Sequence, residues 1–456
     1  MKRSKWLWLA HKCGPASKEI LTLIEKLGNI DKIYDATYEE YIETGISERL
    51  CEDLCDKSFD PIIPIMDYCA SARVGILCYD NEKYPMSLRA LKDPPAVLYY
   101  KGNLPDLNRS LCISIVGTRK MSEYGMKAAY KIAYEVAASG AVVVSGMALG
   151  IDGIASCAAI AAGGRTVAVL GCGIDRTYPA DHALLSEHIK RHGAVITEFP
   201  PSTPPKGANF PIRNRIISGL GQGTVVIDAD KGSGAMITAK NAILQGKDIY
   251  AVPGNIDSET ATGTNMLIRD GAQAVLCGND IIANYAFLYR DSLDIQRLRN
   301  SEKRSEFSPD IVRRMGVATR VMKVLDVDPE NIPPVEIGVS VSATSRFEKK
   351  KPAGNTQRPV DKTTDRSDAH ITPAENKKPE STPDKETRGG DNSAKMVNSL
   401  TETQKKIFDE IPIDKSITVD YLTAAGFSMG EVMSTLTVLE IKGLINSLPG
   451  ALYVRK

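Results

Sequence analysis

The segment from Cys112 to Cys277 most constrains how this chain can fold, because each of its short apolar runs is followed by a loop of small, polar or basic residues. In chain order the runs are CISIV, AVVVS, TVAVL, AVIT, TVVID, DIYAV and AVLC, and the loops include GTR, SGMALGID, GCGID, KGSGAMITA and PGN. Continuous apolar runs of this length are typical of strands buried on both faces, and the stretches between them have helical length and pattern. The sequence therefore predicts an α/β fold with a mostly parallel sheet.

The loops indicate what kind of ligand such a sheet would hold. In parallel sheets, ligands sit beyond the carboxyl ends of the strands, where helix N-termini point free N–H groups. Several glycine-rich loops that carry arginine at one edge predict a phosphate-rich ligand. The formal net charge is only +1, so contact with nucleic acid would require a local basic patch.

The chain has 456 residues, of which 43% are hydrophobic, enough for two to four domains. Four segments are predicted: a helical domain of the SAM or helix-hairpin-helix type at 1–72, the sheet-containing core at 73–290, a linker at 291–396 and a C-terminal domain at 397–456. Between Ser345 and Met396 the linker has almost no large apolar residues, which predicts a disordered tether. The last segment has the order of a winged-helix domain, with helices at 401–411, 419–426 and 429–444 and a hairpin turning at Pro449 and Gly450.

The nine cysteines form no CxxC pair and no regular framework. Several of them, including Cys112 and Cys277, fall in predicted strands, so they are interpreted as buried free thiols of a reducing cytoplasm. The N-terminal apolar stretch is interrupted by His11 and Lys12 and is too short for a signal peptide, and no run approaches a membrane span. We therefore expect a cytoplasmic location.

The loop after the first strand, Gly117-Thr118-Arg119, is a candidate phosphate site. Glycine lets the backbone approach an anion, threonine offers a hydroxyl, and arginine offers a rigid fork of donors. The alternative, a structural turn whose arginine covers a helix, is about equally compatible with the residues. Ser122 is predicted to cap the helix that follows.

Three further loops are candidates, with different strengths. Gly146 and Gly150 bracket the turn of SGMALGID, and Ser233 and Gly234 open a helix after Lys231 in another anion-binding turn. Gly171 and Gly173 imitate a dinucleotide fingerprint that fails at its third glycine, so no nicotinamide or flavin cofactor is expected.

The most unusual stretch is KGANFPIRNRII, from Lys206 to Ile217. Arg213 and Arg215 flank Asn214 at the predicted start of a helix, with Phe210 before them in a segment predicted to be extended. Arginines at this spacing could grip consecutive phosphates, and an exposed aromatic ring could stack on a base. The structural alternative places Phe210 in the core and leaves the arginines in solvent.

Signals for catalysis and for metals are weak. The five histidines are scattered, and His188 and His192 are expected to face solvent, so no metal site is predicted. No G-x-S-x-G nucleophile motif is present. Carboxylates at 175, 181, 198, 228 and 230 could each be catalytic, but such residues commonly cap helices, so no catalytic residue is assigned.

Taken together, these motifs resemble those of the bacterial DNA-processing family DprA, also called Smf. The resemblance covers residues 76 to 285 and includes YPMSLRALKDPPAVLYYKG, the loop at 117–119, SGMALGID, TVAVLGCGID, Tyr178-Pro179, FPIRNRIISGL, SGAMITA and AVPGN. The family usually has a histidine where this chain has Ser156.

The resemblance implies an extended Rossmann-like core that binds single-stranded DNA without catalysis. It also implies a homodimer that helps to load the RecA recombinase in homologous recombination during natural transformation, that is, in competence. The expected DNA-binding residues are Gly117, Thr118, Arg119, Ser145, Gly146, Gly150, Gly171, Gly173, Lys206, Phe210, Arg213, Asn214, Arg215, Ser233 and Gly234.

Two other functions remain open from the residues. A nucleotide-phosphoribohydrolase-like enzyme would need a glutamate near Thr238, where this chain has none. A transcription regulator would use the C-terminal domain, but its predicted recognition helix carries two glutamates, one lysine and no arginine, a poor match to a groove lined with phosphates.

Overall fold

A computed structural model of the chain describes residues 2–317 and part of the C-terminal region, namely 400–412, 417–428, 431–432, 435–436, 438–439, 442, 444–448 and 452–455. The chain divides into two compact units, one within residues 1–351 and the other within 352–456. The predicted tether between Ser345 and Met396 lies outside the described residues.

The first unit is built on a nine-stranded sheet of mostly parallel strands. The strands are β1 Gly75–Cys78, β2 Val97–Gly102, β3 Cys112–Val116, β4 Val142–Ser145, β5 Arg165–Val169, β6 Gly193–Thr197, β7 Gly223–Val226, β8 Asp248–Ala251 and β9 Gln273–Ala274. Their order in the sheet is β1-β2-β6-β5-β4-β3-β7-β8-β9. The seven strands β3 to β9 are mutually parallel, while β1 and β2 add an antiparallel edge. The predicted α/β fold with a mostly parallel sheet is confirmed.

Helices of the first unit surround this sheet. Those in its described part are α1 Lys2–Cys13, α2 Glu19–Leu27, α3 Ile30–Asp35, α4 Tyr38–Glu43, α5 Glu48–Cys55, α6 Ile63–Ser71, α7 Met86–Arg89, α8 Glu123–Ala138, α9 Ile151–Ala161, α10 Ala183–His192, α11 Asn209–Leu220, α12 Gly234–Leu244, α13 Thr262–Arg269, α14 Gly278–Ile282, α15 Ile295–Ser301 and α16 Pro309–Arg314. Ser122 caps α8 by accepting a hydrogen bond from the Gly125 N–H at 2.9 Å, as the sequence predicts.

The continuous apolar runs form strands because helices cover both faces of the sheet. Within β3, Ile113 and Ile115 join the core that contains residues of α8 and α9, whereas Cys112 and Val116 join the core that contains residues of α11 and α12. Alternate side chains of a strand point to opposite faces, so every position of such a central strand must be compatible with burial. The loops at the strand ends are thereby held on a rigid scaffold.

The N-terminal helices pack on the antiparallel edge of the sheet and share its core. Trp8 of α1 is fully buried and donates from Nε1 to the Asp56 carbonyl oxygen at 2.9 Å. Val97 and Tyr99 of β2 belong to the same apolar cluster. The sequence predicts a separate domain at 1–72; its boundary stays a prediction, since 1–72 and the sheet lie in one compact unit.

Two local expectations are wrong. Cys277 precedes α14 as its N-terminal flanking residue and is only half-buried, because the last strand ends at Ala274. Cys55 is exposed, so the nine cysteines are free but are not all buried. Within the segment 291–396, which is predicted to be a linker, the chain forms α15 and α16, whose Leu298 and Val312 are buried in the main core.

His188 does not face solvent, contrary to the sequence-based expectation: it is 2% exposed, and its Nε2 has no hydrogen-bond partner among the described residues. Burial lowers the pKa of His188 from 6.5 to about 4.

Because of this lowered pKa, the unfolded chain binds a proton on His188 at a higher pH than the folded chain does. The free energy of unfolding should therefore fall as the pH falls from about 6.5 towards 4. We expect His188→Leu to flatten the dependence of the free energy of unfolding on pH in this range, as measured by urea unfolding. A dependence as steep as that of wild type would show that His188 does not cause it.

The second unit contains two described helices and a three-stranded antiparallel sheet. The helices are α17 Glu402–Asp409 and α18 Val419–Ala424, and the strands are β10 Ile417–Thr418, β11 Ile445–Leu448 and β12 Leu452–Arg455, in the order β10-β12-β11. Ile407, Phe408, Leu422 and Ile445 are among the residues of its apolar core. Pro449 and Gly450 lie outside the described residues, as does part of the predicted third helix, so the winged-helix assignment stays a prediction.

Within the described part of the chain, no helix has both the length and the apolar character needed to cross a membrane.

Candidate functional site

A crevice opens where the strand order of the main sheet reverses. From β3 the chain continues on one side through β4, β5 and β6, and it returns to the other side of β3 with β7. In open α/β sheets, ligand sites form at such a switch point, outside the carboxyl ends of the strands. A cavity of about 600 Å³ lies here, bordered by Val116 at the end of β3 and by residues that follow β7. Eight of the predicted DNA-binding residues line it: Gly117, Thr118, Arg119, Phe210, Arg213, Asn214, Ser233 and Gly234.

The loop after β3 forms one wall of the crevice. The Thr118 N–H donates to the Asp228 carbonyl oxygen at 2.6 Å, and the Thr118 hydroxyl accepts from the Lys120 N–H at 3.2 Å. Gly150 packs against this loop with φ of 82°, and a Cβ atom there would lie 2.4 Å from the Thr118 carbonyl oxygen. Only glycine is therefore compatible with this close approach. The anchored loop leaves the side chains of Arg119 and Lys120 exposed.

Aromatic rings form a second wall of the crevice. The Phe210 ring lies 5.3 Å, centroid to centroid, from the ring of Tyr178, and the Arg119 Cζ atom lies 5.5 Å from the Phe210 centroid. Gly171 makes room for the Phe210 ring, since a Cβ atom at 171 would lie 2.8 Å from Phe210 Cδ1. The crevice thus has an exposed guanidinium group beside two partly exposed aromatic faces.

Arg213 links α11, the helix that carries Phe210, to the ends of two strands. Its Nη1 donates to the carbonyl oxygens of Gly146, at 2.7 Å, and of Val169, and its Nε donates to Asn214 Oδ1 at 3.1 Å. The ends of β4 and β5 are thereby tied to α11. Burial lowers the pKa of Arg213 from 12.5 to about 10, so the guanidinium group is still charged at neutral pH and adds a positive charge to the crevice floor.

The N-terminus of α12 faces the same cavity. Ser233 precedes the helix and Gly234 is its first residue, and both line the cavity. The Ser233 Oγ atom is buried without a hydrogen-bond partner among the described residues. Asn214 fixes the helix by donating from Nδ2 to the Gly234 carbonyl oxygen at 3.3 Å. Free N–H groups and the positive end of the helix dipole make this position favourable for an anion.

Two carboxylates also line the cavity, and both are hydrogen-bonded to backbone. Asp152 Oδ2 accepts from the N–H groups of Gly146 at 3.1 Å and Ala148 at 3.5 Å, and Asp230 Oδ1 accepts from the Gly232 N–H at 2.7 Å. Burial raises the pKa of Asp152, while the positive charge of Arg213 opposes the rise. These contacts give both aspartates a role in shaping the loops.

Arg215 does not line the crevice, which corrects the expectation that both arginines of the FPIRNR motif face the ligand. Its Nη2 is ion-paired with Glu198 Oε2, its Nε lies 3.5 Å from Asp93 Oδ2, and the side chain is 7% exposed. The physical reason is helical geometry. Helix α11 begins at Asn209, so Phe210 is in its first turn rather than in an extended segment. Residues two apart on a helix point about 200° away from each other, so Arg213 and Arg215 face opposite sides.

The other predicted residues that do not line the crevice have structural roles behind it or border another cavity. Ser145 is buried and donates to the Ile115 carbonyl oxygen at 2.8 Å, and the Gly173 N–H donates to the Thr203 carbonyl oxygen at 2.9 Å. Lys206 is exposed and lines a different cavity. Gly146, Gly150 and Gly171 contribute close packing: Gly146 contacts Arg213, Gly150 contacts the loop after β3, and Gly171 contacts Phe210.

Of the lining residues that were not predicted to bind DNA, Lys120 and Tyr178 have side chains suited to a phosphate and a base. Both carried a signal, since Lys120 directly follows the Gly-Thr-Arg loop and Tyr178 stands in the Tyr-Pro pair that contributes to the family resemblance. Among the described residues, no group of three or more His, Cys, Asp and Glu side chains is arranged to hold a metal ion.

The sheet order defines an open α/β protein with a crevice at the switch point, lined by Arg119, Lys120 and the N-terminus of α12. A family model described as DNA recombination-mediator protein A matches residues 75–286. The chain belongs to the DprA/Smf family of DNA-processing proteins, as the motifs predict.

Individual relatives support this membership. The chain is 41% identical to the DNA processing protein DprA of Bacillus subtilis over 208 residues, 46% of this chain and 70% of that protein. It is 36% identical to the protein Smf of Escherichia coli over 259 residues, 57% of this chain and 67% of that protein. The X-ray structure of DprA from Streptococcus pneumoniae is similar with a TM-score of 0.55 and 32% identity, covering 62% of this chain and 98% of that one.

Proposed function

We propose that this protein binds single-stranded DNA in the crevice at the switch point, without sequence-specific reading of bases. The observation that carries the proposal is the position of the exposed Arg119 guanidinium group 5.5 Å from the centroid of the Phe210 ring. A donor to phosphate beside a flat aromatic face suits a backbone with unpaired bases, because the bases of duplex DNA are already stacked on each other. Membership in a family described as recombination mediators supports the same interpretation.

The charges in the crevice are local, as a chain of net charge +1 requires. Arg119 and Lys120 would contact phosphates directly, and the N-terminus of α12 at Ser233 and Gly234 would receive another phosphate. Arg213 would contribute its charge from the floor while it holds the wall in place. Phe210 and Tyr178 would stack on bases of any sequence, since every base has an aromatic face.

Arg119→Ala tests the phosphate contact. Removing one phosphate contact should reduce the slope of log K against log salt by about 0.7 for a single strand, so we expect weaker binding and a shallower slope in fluorescence-anisotropy titrations at several salt concentrations. Arg109→Ala is the matched control, since the Arg109 side chain is 90% exposed and does not line the crevice. Equal slopes for Arg119→Ala and Arg109→Ala would contradict the proposal.

We further propose that the protein acts in the cytoplasm as a homodimer that helps to load RecA on single-stranded DNA during recombination and natural transformation. Family membership supports these parts of the proposal, and the crevice geometry supports DNA binding itself. The C-terminal unit is proposed to be a winged-helix domain with an accessory role in protein contacts.

The proposed role is binding rather than catalysis. Thr238 lines the crevice where a phosphoribohydrolase would need its glutamate, and Asp152 and Asp230 are hydrogen-bonded to backbone N–H groups. Release of free base from nucleoside monophosphates would instead favour the enzymatic alternative.

A further inference from the structure

A second cavity, of about 300 Å³, lies between the N-terminal helices and the antiparallel edge of the sheet. Leu7 and Ala10 of α1 form one side, and Val97 and Tyr99 of β2 form the other. The inner part of the lining is buried and apolar and includes Leu7, Ile20, Val97, Tyr99 and Phe199, whereas His11, Pro15, Pro204 and Lys206 are exposed at the rim. The cavity therefore suits a ligand with a flat, weakly polar body.

Glu198 is the buried charged residue of this lining, whereas Lys206 is exposed. The Glu198 side chain is 3% exposed. Its Oε2 atom is ion-paired with Arg215 and accepts from the Ala16 N–H at 3.3 Å. Its Oε1 atom is buried without a hydrogen-bond partner among the described residues. A buried carboxylate oxygen without a donor is costly, so a ligand that brings an N–H group would gain a charge-assisted hydrogen bond there.

The segment from Pro205 to Phe210 separates this cavity from the crevice, and its residues alternate between the two. Pro205, Gly207 and Phe210 line the crevice, whereas Lys206 and Asn209 line the second cavity. Lys206 is exposed at the rim. A DNA strand that leaves the crevice could thus pass over this segment and reach the second cavity. Lys206 would be available there for its phosphate.

We infer that the second cavity binds one unpaired nucleobase of the same DNA strand, with a base N–H donating to Glu198 Oε1 and Lys206 contacting the adjoining phosphate. This inference rests on the proposed DNA binding and adds a base preference to it. Guanine suits this single oxygen, because its N2 amino group can donate to Oε1 and is not bonded next to a carbonyl group. Thymine offers one N–H between two carbonyl oxygens, which the carboxylate would repel.

The test compares a short oligonucleotide that contains only thymine with otherwise identical ones that carry one guanine at each position in turn. For the full-length protein we expect one guanine to tighten binding by about tenfold, the gain typical of a hydrogen bond to a charged group. Glu198→Gln and Ala10→Phe, which fills the cavity from α1, should each reduce this gain to less than about twofold. Ala70→Phe, at an exposed position of α6 outside the cavity, should keep it.

The possible failures are distinguishable. If the all-thymine strand is not bound, or is bound equally well by wild type and Arg119→Ala, the proposed function itself fails. If Arg119→Ala weakens that binding while guanine adds nothing, the second cavity does not take a base. A guanine preference that survives in both Ala10→Phe and Glu198→Gln would also overturn the inference. Ala10→Phe leaves the Glu198 ion pair in place, so it keeps the test valid if Glu198→Gln does not fold.

Discussion

Replacing Arg215 with alanine is expected to lower the free energy of unfolding by about 3–5 kcal/mol, because the change removes one partner of a buried ion pair. Glu198 would keep its carboxylate in the interior without the guanidinium group that compensates it, and Asp93 would lose the same neighbour. Urea unfolding followed by circular dichroism measures the loss. Arg165→Ala, at an exposed arginine at the start of β5, is the matched control and should change stability by less than about 0.5 kcal/mol.

The same variant separates the two arginines of the FPIRNR motif by function. Since Arg215 faces away from the crevice, the salt dependence of DNA binding should be unchanged in the fraction that stays folded. A slope reduced as much as in Arg119→Ala would mean that Arg215 does hold a phosphate. A loss of stability below about 1 kcal/mol would show that the buried ion pair between Arg215 and Glu198 does not stabilise the fold as expected.

Phe210→Ala is expected to weaken binding of single-stranded DNA by about 5-fold to 150-fold, which corresponds to about 1–3 kcal/mol for one stacked base. The salt slope should stay the same, because no phosphate contact is removed. Fluorescence anisotropy at several salt concentrations measures both quantities. The combination of much weaker binding with a constant slope distinguishes stacking from the electrostatic effect expected for Arg119→Ala.

Two further variants make the stacking experiment specific. Phe210→Tyr keeps an aromatic face and should bind almost as well as wild type. Phe287→Ala removes a phenylalanine that is 80% exposed and does not line the crevice, and it should have no effect. A Phe210→Ala protein with wild-type affinity would show that the ring serves only to pack against Tyr178 and Arg119.

The fold was predictable because strand burial leaves a simple signal. The run CISIV is apolar on both faces and forms a central strand between β4 and β7. The runs from AVVVS to TVVID also form largely buried strands, whereas DIYAV forms β8, whose first residue Asp248 is exposed. The last run, AVLC, was less informative: β9 has only two residues at the sheet edge, so Cys277 was free to flank a helix instead. His188 was misjudged because a histidine can lie on the buried face of an amphipathic helix.

The candidate site was predictable in its loops but not in its side-chain directions. Strand ends and glycine turns place Thr118, Arg119, Ser233 and Gly234 at one edge, which follows from parallel topology. The separation of Arg213 from Arg215 depends on where α11 begins, and helix boundaries are weakly encoded in sequence. The contact between Phe210 and Tyr178 joins positions 32 residues apart in the sequence, and local patterns do not report such contacts.

The hydrogen bonds of Arg213 have a consequence for how fast a ligand can be captured. By holding the carbonyl oxygens of Gly146 and Val169, this side chain fixes the helix that carries Phe210 before any ligand arrives. A preorganised wall avoids the entropic cost of ordering a loop during association. Encounter with a strand should therefore be controlled by diffusion and electrostatic attraction, and differences in affinity among strands should arise mainly from how slowly they leave.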